Sequence, residues 1–425
     1  MLYKYACVLL CAGASAQTAT EPVKPPGLPV NYDEARVGSY TLPDPLVMSN
    51  GKRVQDARTW TKLRRPEILK LFQTNMHGRS PGRPHDITFN VFDKGTPVFD
   101  GKAVRRQIEI TFPREQNAPK MDLLLYLPVS ARKRAPVLMH LGFSANSATI
   151  EDPGIRPGLV WNREHKKVPA NTVRQFPPLK IQEFLAKGFG VATMYYGDIE
   201  PDFQGGMPLG VRGLYLKPGQ AEPAADEWGA IGAWAWGLSR AMDYLETDPG
   251  VDAKRVAIVG ISRLGKTVLW AGASDPRFAM VIASCSGEGG ASLSRRDYGE
   301  TIKHINRNFP YWFDQNYQKF GDHVDQLPVD AHMLLSLIAP RPLYLSTGDQ
   351  DKWGDPKGEF LAAVAAEPVY RLLGAQGLGT SDMPAADQPI MHTIGYHMHS
   401  GGHGTNPFDW QQYLKFMEMH LQPTQ

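Results

Sequence analysis

Cysteine and net charge are both scarce in this sequence. Only three of its 425 residues are cysteine, and 46 basic residues oppose 43 acidic ones, which leaves a net charge of +3. Two of the cysteines, Cys7 and Cys11, lie in an apolar N-terminal stretch, so the remaining chain carries Cys285 alone and has no internal disulfide. A small positive excess with mixed signs does not make a nucleic-acid surface, so we expect no nucleic-acid partner.

Long apolar runs are missing as well, apart from the one at the N-terminus. The stretch MLYKYACVLLCAGASA has a positive Lys4, a short apolar core and small residues from Ala14 to Ala16, which is typical of a secretory signal peptide over residues 1–16. A frayed apolar N-terminus with no targeting role is the alternative. The core is too short to span a bilayer, and no later run is long enough, so we expect no membrane partner. The protein should be exported, to the periplasm or the medium, and act as a soluble monomer.

Composition divides the rest of the chain into an arm and a large domain. Residues 17–57 are rich in proline and polar residues, which indicates a linker or an extended N-terminal arm. A hydrophobic content of 42% suffices for one large domain or two medium ones, and we predict a single domain over residues 58–425. Irregular insertions near 144–180, 198–226 and 290–330 are natural places for a substrate-binding rim.

Strand and helix patterns alternate through that domain. Two segments from about residue 87, DITFNVFD and AVRRQIEITF, alternate apolar and polar residues as antiparallel strands do. Later runs such as MDLLLYLPV, APVLMHLGF and RVAIVGIS are nearly continuously apolar, which is typical of buried strands, and helical segments lie between them. The order predicts an α/β-hydrolase fold, a three-layer αβα sandwich around a mostly parallel sheet of about eight or more strands.

The segment GISRLGK lies where a buried strand meets a helix. Ser262 stands at that junction, two residues after Gly260, as in the G-x-S-x-G elbow that presents a nucleophilic serine. The second glycine of the motif comes one residue late, as Gly265, and a helix N-cap is the alternative role for the serine. If Ser262 is the nucleophile, the backbone N–H and the side chain of Arg263 are placed to bind an oxyanion.

The elbow is part of a longer resemblance. The run from Trp228 to Ile302, with its G-x-S-R-x-G-K elbow, and the segments DKWGDPKGEF and GGHGTNPFDW are similar to the bacterial glucuronoyl esterases of carbohydrate esterase family 15. The resemblance extends over residues 60–425 and makes the late glycine the family's own form. It implies a serine esterase that hydrolyses the ester between lignin alcohols and the (4-O-methyl-)glucuronic acid of glucuronoxylan, without a metal or cofactor.

Four histidines near the C-terminus are candidates for the general base: His392, His397, His399 and His403. In α/β-hydrolases the histidine follows the serine and the acid along the chain and lies in a loop after the last strand. His403 stands in the glycine-rich loop before the final helix, so we prefer it, and by resemblance it matches the family's histidine. His397 and His399 suit strand residues. The H-x-H…H spacing also raises a metal site, which we disfavour because no carboxylate stands at a fixed spacing.

The acid of the triad is the member for which the sequence offers several candidates. In many members of the family that this sequence resembles, the acid follows the strand after the elbow strand. At that position this sequence has Cys285. A thiol cannot stabilise an imidazolium as a carboxylate does. The next strand is followed by Asp349, Asp351 and Asp355, where the commonest α/β-hydrolases and some bacterial glucuronoyl esterases have their acid. We prefer Asp351 and keep Asp349 and Glu288 as alternatives. Asp349 and Asp355 also suit turns, and the cysteine suits a packing residue.

A uronoyl pocket needs polar groups for sugar hydroxyls and an aromatic platform. Lys266 lies one helical turn after the elbow serine on the same face, and by resemblance it contacts sugar hydroxyls. Glu300 matches a family carboxylate that also binds sugar hydroxyls, and Trp353 matches the family's tryptophan at the sugar ring. A solvated lysine and a packing tryptophan are the alternatives. Arg295 and Arg296 suit pairing with Glu300 or with an acidic substrate, and the sequence does not choose between them.

Two other functions stay open at the level of sequence. One is another carbohydrate esterase, such as an acetyl xylan esterase, although Lys266, Glu300 and Trp353 favour a whole sugar on the acyl side. The other is a non-catalytic sugar-binding relative. The thiol at position 285 suggests it, whereas intact Ser262 and His403 argue against it.

Overall fold

The computed structural model of the protein describes residues 27–112, 118–131, 134–173 and 178–422. The segment interpreted as a signal peptide, residues 1–16, and residues 17–26 of the arm lie outside the described residues. Within the described part, the chain forms a ten-stranded sheet and a small two-stranded sheet, with helices on both faces of the larger one.

The central sheet is mostly parallel. In chain order, the strands are β1 (Thr88–Val98), β2 (Ala103–Thr111), β3 (Lys120–Pro128), β4 (Ala135–Gly142), β5 (Leu159–Trp161), β6 (Lys167–Pro169), β7 (Gly190–Tyr195), β8 (Val251–Ile261), β9 (Met280–Ser284), β10 (Leu343–Gly348), β11 (Ile390–Met391) and β12 (Ile394–His399). Their order in the large sheet is β1-β2-β3-β7-β4-β8-β9-β10-β12-β11. The strands from β7 to β12 in that order run parallel, whereas β1, β2, β3 and β11 pair antiparallel. The predicted α/β-hydrolase fold is confirmed.

Burial of the strands follows their place in the sheet. Side chains of β1 alternate between exposed and half-buried positions, whereas β4, β7, β9 and β10 are buried along their whole length. A strand that helices cover on both faces has no side open to water and therefore needs a continuous apolar run. The two kinds of hydrophobic pattern in the sequence predicted this division.

Helices form the outer layers of the sandwich. They are α1 (Ala57–Thr59), α2 (Arg65–Asn75), α3 (Asn146–Thr149), α4 (Ile181–Ala186), α5 (Tyr196–Ile199), α6 (Ala230–Leu245), α7 (Arg263–Ser274), α8 (Ile302–Asn308), α9 (Ala331–Ser336), α10 (Pro356–Leu372) and α11 (Pro407–His420). A π-helix, Trp60–Arg64, joins α1 to α2, and 3-10 helices span Glu34–Arg36, Ala170–Thr172, Met207–Leu209, Val211–Tyr215, Gln315–Phe320, Val324–Gln326 and Lys352–Gly354. Helices α2, α6, α7, α9 and α10 pack on one face of the sheet, and α4 and α11 pack on the other.

Strand β8 shows how the sheet separates two cores. Val256 and Ile258 belong to the larger hydrophobic cluster, whereas Ala257 and Val259 belong to the smaller one, which also contains Phe184 of α4. Successive side chains of a strand point to opposite faces, so a fully apolar strand supplies both cores at once. This double burial holds the carboxyl end of β8 firmly in the middle of the sheet.

Residues 27–57 of the arm pack on the domain rather than forming a free linker. Leu46 and Val54 are buried in the larger core. His332 Nε2 donates to the carbonyl oxygen of Pro43 over 2.8 Å. Asn31 Nδ2 donates to the carbonyl oxygen at position 297 over 2.6 Å. This part of the arm is therefore an extended segment tied down along its length.

The predicted insertions hold short, irregular elements. The first contains the two-stranded sheet of β5 and β6, the second contains two 3-10 helices, and the third contains α8. Among the residues that the structure describes, no helix combines the length and the apolar character that crossing a membrane requires.

Candidate active site

Ser262 lies in a sharp turn between β8 and α7. Its backbone has a φ of 59° and a ψ of −128°, a conformation that is costly for a residue with a side chain and that strand-to-helix nucleophile elbows use to present the serine. Ser262 stands at the N-cap position of α7, yet its side chain makes no capping hydrogen bond. The geometry therefore favours the nucleophile elbow over the helix-cap alternative.

Two glycines let the helix approach the strands closely at this turn. A Cβ on Gly260 would overlap the carbonyl group of Leu264 in the first turn of α7. A Cβ on Gly265 would lie 2.8 Å from the carbonyl oxygen of Ser284 at the end of β9, closer than side-chain carbons approach. The late glycine of the motif thus has a packing reason, because it lets α7 lie against the neighbouring strand.

Adjacent parallel strands end together at the elbow. The Ser262 N–H donates to the carbonyl oxygen of Ser284 over 2.8 Å, and the Cys285 N–H donates to the carbonyl oxygen of Ser346 over 2.7 Å. These bonds tie the ends of β8, β9 and β10 to one another. The carboxyl edge of an open α/β sheet is where ligands bind, so the loops that follow these strands line the candidate site.

His403 and Asp351 meet across the loops that follow β12 and β10. His403 Nδ1 lies 2.7 Å from Asp351 Oδ2. The aspartate side chain is 2% exposed and the histidine side chain 39% exposed. Asp351 is the N-cap of the 3-10 helix Lys352–Gly354 and accepts its Gly354 N–H. An anchored, buried carboxylate thus holds one nitrogen of an exposed imidazole, which is how a triad acid orients its base.

The other acid candidates bond elsewhere. Asp349 Oδ1 accepts the Gly401 N–H over 2.8 Å and so shapes the loop that carries the histidine. Glu288 is buried, and its Oε1 accepts hydrogen bonds from Ser294 Oγ at 2.7 Å and from the Tyr317 hydroxyl at 3.0 Å. Burial raises the pKa of Glu288 to about 8. A carboxyl group that stays protonated at neutral pH and faces other partners does not fit the role of the acid.

Cys285 lies beside the histidine–aspartate pair. Its Sγ, an oxygen of Asp351 and a ring nitrogen of His403 all lie within 4.8 Å of one another. The thiol donates to the Gly404 carbonyl oxygen at 3.3 Å and accepts the N–H of the same residue at 3.4 Å. Burial, together with the charge of Asp351, raises the pKa of the thiol to about 12. Cys285 therefore packs against the histidine loop as a neutral group.

Arg263, directly after the serine, is held by a carboxylate that sequence analysis missed. Its Nη1 forms an ion pair with Asp202 Oδ2. The guanidinium carbon lies 4.8 Å from the centre of the Trp312 ring and 5.5 Å from that of Phe309. The insertion 198–226 was expected to reach the site, but PDFQGGM matches no motif, so no local signal singled out Asp202.

Lys266, Glu300 and Trp353 come together next to the elbow. Lys266 Nζ lies 3.6 Å from Glu300 Oε2, and both side chains are buried. The Glu300 backbone N–H donates to the carbonyl oxygen of Trp353 over 2.9 Å, and the Trp353 side chain is close enough to lower the pKa of the carboxyl group. Burial raises the pKa of Glu300 and outweighs the opposing charges of Lys266, His403 and Arg263. Lys266, His403 and Arg263 all lie close enough to act on this one carboxyl group, which places them around a common site.

Arg295 and Arg296 do not pair with Glu300. Arg295 Nη1 lies 3.2 Å from Asp330 Oδ2. Arg296 Nε lies 2.9 Å from Asp355 Oδ2, and its other end forms an ion pair with the N-terminal arm. Asp355 also caps α10, in keeping with the turn role that sequence suggested for it. Both arginines therefore tie segments of the fold together.

The remaining histidines of the C-terminal region do not converge with His403. His397 and His399 lie in β12, as predicted, and both contact Asp409 Oδ1 of α11, at 2.7 Å and 3.0 Å. His392 Nδ1 lies 2.7 Å from a backbone carbonyl oxygen. Since His403 contacts a different carboxylate, the H-x-H…H spacing does not bring three imidazoles to one point.

The fold and the site together define a class of protein. A mostly parallel sheet, a serine elbow at its carboxyl edge and a histidine–aspartate pair in the following loops form the arrangement of an α/β-hydrolase. The order of Ser262, Asp351 and His403 along the chain is also the order of that fold.

Comparisons with known proteins narrow this class to one family. A family model described as glucuronyl esterase, fungi, matches residues 223–374. Carbohydrate esterase MZ0003, from an unknown prokaryotic organism, is 45% identical over 400 residues, which are 92% of this chain and 92% of that protein. A 4-O-methyl-glucuronoyl methylesterase of Schizophyllum commune is 28% identical over 80% of this chain and 76% of its own. The solved structure of a glucuronoyl esterase from Solibacter usitatus matches with a TM-score of 0.86 and 46% identity, over 91% of this chain and 100% of that one.

The chain therefore belongs to the glucuronoyl esterases of carbohydrate esterase family 15 and is a carboxylic ester hydrolase. The resemblance inferred from the elbow and the C-terminal segments is confirmed.

Proposed function

We propose that this protein is an exported serine esterase that hydrolyses the ester between the (4-O-methyl-)glucuronic acid of glucuronoxylan and lignin alcohols. The observation that carries the proposal is the 2.7 Å contact of His403 with Asp351, in the site that contains a strained serine elbow. Family membership supports the substrate class. The fungal relative is named for action on a 4-O-methyl-glucuronoyl methyl ester, which has the same acyl group.

The first half-reaction transfers the glucuronoyl group to the serine. Asp351 accepts the Nδ1–H of His403, which leaves Nε2 as the proton acceptor. Nε2 takes the proton of Ser262 as the serine oxygen attacks the ester carbonyl carbon. Backbone N–H groups at the start of α7 and the Arg263 guanidinium stabilise the tetrahedral oxyanion. The ester C–O bond then breaks, and His403 gives the proton to the departing alcohol.

The second half-reaction releases the acid. Water attacks the glucuronoyl–serine ester while His403 accepts one of its protons, and the proton returns to Ser262 as the acyl–enzyme bond breaks. The glucuronic acid leaves and ionises in water. The side chains named so far supply every proton transfer, so the proposed mechanism involves no metal or cofactor.

Three side chains are proposed to hold the sugar. The Lys266 ammonium and the Glu300 carboxylate lie 3.6 Å apart, so together they present a donor and an acceptor to neighbouring hydroxyls of a pyranose ring. Trp353 supplies a flat apolar face beside them. An acetyl group has no hydroxyls for these residues to bind, so this set of side chains favours a whole uronic acid on the acyl side.

Substrate preference and covalent labelling test the proposal. We expect the protein to cleave methyl and benzyl glucuronate, to leave acetylated xylan intact, and to lose this activity with Ser262→Ala. A serine-directed phosphonate should label Ser262. Cleavage of acetylated xylan without cleavage of glucuronate esters would instead indicate an acetyl xylan esterase. Neither activity and no labelling would indicate a sugar-binding relative.

The proposal also includes export and a monomeric state. We propose that residues 1–16 direct the chain out of the cytoplasm and are removed. The N-terminal residue of the protein recovered from the periplasm or medium checks this, and gel filtration with light scattering checks the monomer. Recovery of the full-length chain in the cytoplasm would contradict export.

A further inference from the structure

The carboxylate of Asp202 is the centre of a buried hydrogen-bond cluster beside the elbow. Its Oδ1 accepts from the Tyr311 hydroxyl at 2.9 Å and from Trp312 Nε1 at 2.8 Å. Its Oδ2 accepts from the Tyr196 hydroxyl at 3.1 Å and forms the ion pair with Arg263 Nη1. The Asp202 side chain is 5% exposed, so four protein donors provide the stabilisation that water gives an exposed carboxylate.

These donors reach Asp202 from separate parts of the chain. Tyr196 begins α5 after β7, Asp202 lies in the second insertion, and Tyr311 and Trp312 lie in the third. All three segments meet at Arg263, the residue that follows the nucleophile. An ordinary ion pair at a protein surface has no such set of buried hydrogen-bond donors around its carboxylate. The hydrogen bonds around Asp202 therefore hold its carboxylate, and with it the Arg263 guanidinium, in one position.

One terminal nitrogen of Arg263 is left for a substrate. Nη1 is engaged by Asp202, and Nε is buried with no hydrogen-bond partner among the described residues. The side chain as a whole is still 29% exposed, and the Trp312 ring lies 4.8 Å from its guanidinium carbon. The nitrogen that remains open to the site is therefore Nη2.

A fixed guanidinium stabilises an oxyanion better than a mobile one. A free arginine side chain loses rotamer freedom when it is immobilised, and an ion pair already made in the free enzyme removes that cost from the transition state. Burial lowers the pKa of Arg263, but the attraction and hydrogen bond of Asp202, together with Tyr196 and Tyr311, outweigh burial and raise the pKa overall. The cation thus stays charged in a partly buried place.

We propose that Asp202 is a positioning residue for the esterase reaction, which holds the Arg263 guanidinium so that Nη2 meets the oxyanion of the tetrahedral intermediate. This inference rests on the proposed function, because it needs an oxyanion beside Ser262.

A double-mutant cycle on benzyl glucuronate tests the inference. Arg263→Ala should lower kcat about 10²- to 10³-fold, as the loss of one oxyanion donor does. Asp202→Asn keeps the side-chain shape and should lower kcat about 10- to 100-fold, with KM changed less than about threefold, because the guanidinium remains but is no longer fixed. In the Arg263→Ala background, Asp202→Asn should lower kcat by less than about threefold more, since the two residues act as a unit.

Different results overturn different statements. An unchanged kcat for Asp202→Asn, or an equal loss with and without Arg263, overturns the inference and leaves the proposed function standing. An unchanged kcat for Arg263→Ala contradicts both the oxyanion role and the inference. An active Ser262→Ala contradicts the proposed function itself.

Two further variants complete the test. Asp252→Asn is the matched control, because Asp252 also pairs with an arginine but lies at the opposite end of β8, and its kcat should equal that of the wild type. If Asp202→Asn does not fold, Tyr311→Phe removes one hydrogen bond to the carboxylate and keeps the ion pair. It should lower kcat about two- to fivefold, and a loss that persists in the Arg263→Ala background overturns the inference.

Discussion

Two histidines a few residues apart near the C-terminus each contact an aspartate through one ring nitrogen. They differ in whether the other ring nitrogen has a hydrogen-bond partner. His403 contacts Asp351 through Nδ1, its side chain is 39% exposed, and its Nε2 contacts no protein acceptor among the described residues. His399 contacts Asp409 through Nδ1 at 3.0 Å, and its Nε2 contacts the carbonyl oxygen of Gly402 at 3.0 Å. The first imidazole has one nitrogen open to a substrate, whereas both nitrogens of the second are hydrogen-bonded within the protein.

The His399–Asp409 pair also differs from the His403–Asp351 pair in its charge. A carboxylate and a carbonyl oxygen both accept hydrogen bonds, so these two contacts favour the doubly protonated, charged form of the His399 ring. Burial lowers the pKa of His399, but Asp409, the Gly402 carbonyl and Asp349 together outweigh burial and raise the pKa overall. This ion pair is tied to the backbone next to His403. The exposed pair is therefore the one that we propose for catalysis, whereas the buried pair holds the backbone of the loop that carries His403.

The largest effect expected from this comparison is on turnover by Asp351→Asn. Without the carboxylate, His403 loses the partner that fixes its tautomer, and kcat should fall about 10⁴-fold, with little change in the melting temperature. Glu288→Gln is the matched control, because burial raises the pKa of Glu288 to about 8 and an amide resembles the protonated acid. Steady-state kinetics on benzyl glucuronate check both variants, and the opposite ranking would make Glu288 the acid.

The second effect is on stability, by Asp409→Asn. Removing the negative partner leaves a buried imidazolium uncompensated, which should lower the free energy of unfolding by about 3–5 kcal/mol. Urea denaturation of this variant beside Asp351→Asn separates the two pairs, since the latter should unfold near the wild-type midpoint. Equal losses of stability in the two variants would contradict the division of roles.

The third effect is a partial rescue that uses Cys285. Its Sγ lies within 4.8 Å of Asp351 and His403, so Cys285→Glu in the Asp351→Asn background places a carboxylate within reach of the imidazole. We expect kcat to recover about 10- to 100-fold of the lost rate. Cys285→Gln in the same background should recover none. A rescue by glutamine as large as that by glutamate would rule out a charge effect.

The smallest effect is a pH dependence of stability that belongs to His399. Folding raises the pKa of His399 above its usual value, so the histidine's contribution to stability is fully present below the unfolded pKa and is lost as pH rises through the folded pKa. The stability difference between wild type and His399→Gln should therefore shrink as the pH is raised. Urea unfolding at several pH values from mildly acidic to alkaline measures it. A difference that grows with pH would contradict the ion pair.

Local patterns predicted the fold and the nucleophile elbow well. Continuous apolar runs marked the buried strands because both faces of those strands are covered, and alternating runs marked β1 and β2. GISRLGK marked the elbow because the close approach of α7 to β8 and β9 requires glycine at particular positions. Such signals lie within a few residues of the feature that they indicate.

Contacts between distant segments were not readable in the same way. Arg295 and Arg296 stand near Glu300 in the chain, yet they pair with Asp330 and Asp355. Asp202 lies about sixty residues before Arg263 and carries no motif. A charged residue in a loop shows its type but not its partner, because the partner depends on how the loops fold over the sheet.

The residue types and their order thus specified an α/β-hydrolase with a serine at its elbow and a histidine near its end. Which carboxylate serves the histidine, which one holds the arginine, and which imidazole stays open depended on the folded arrangement of the loops. The physical reason is that periodicity and turn chemistry act over a few residues, whereas burial and ion pairing depend on segments that meet only after the sheet has formed.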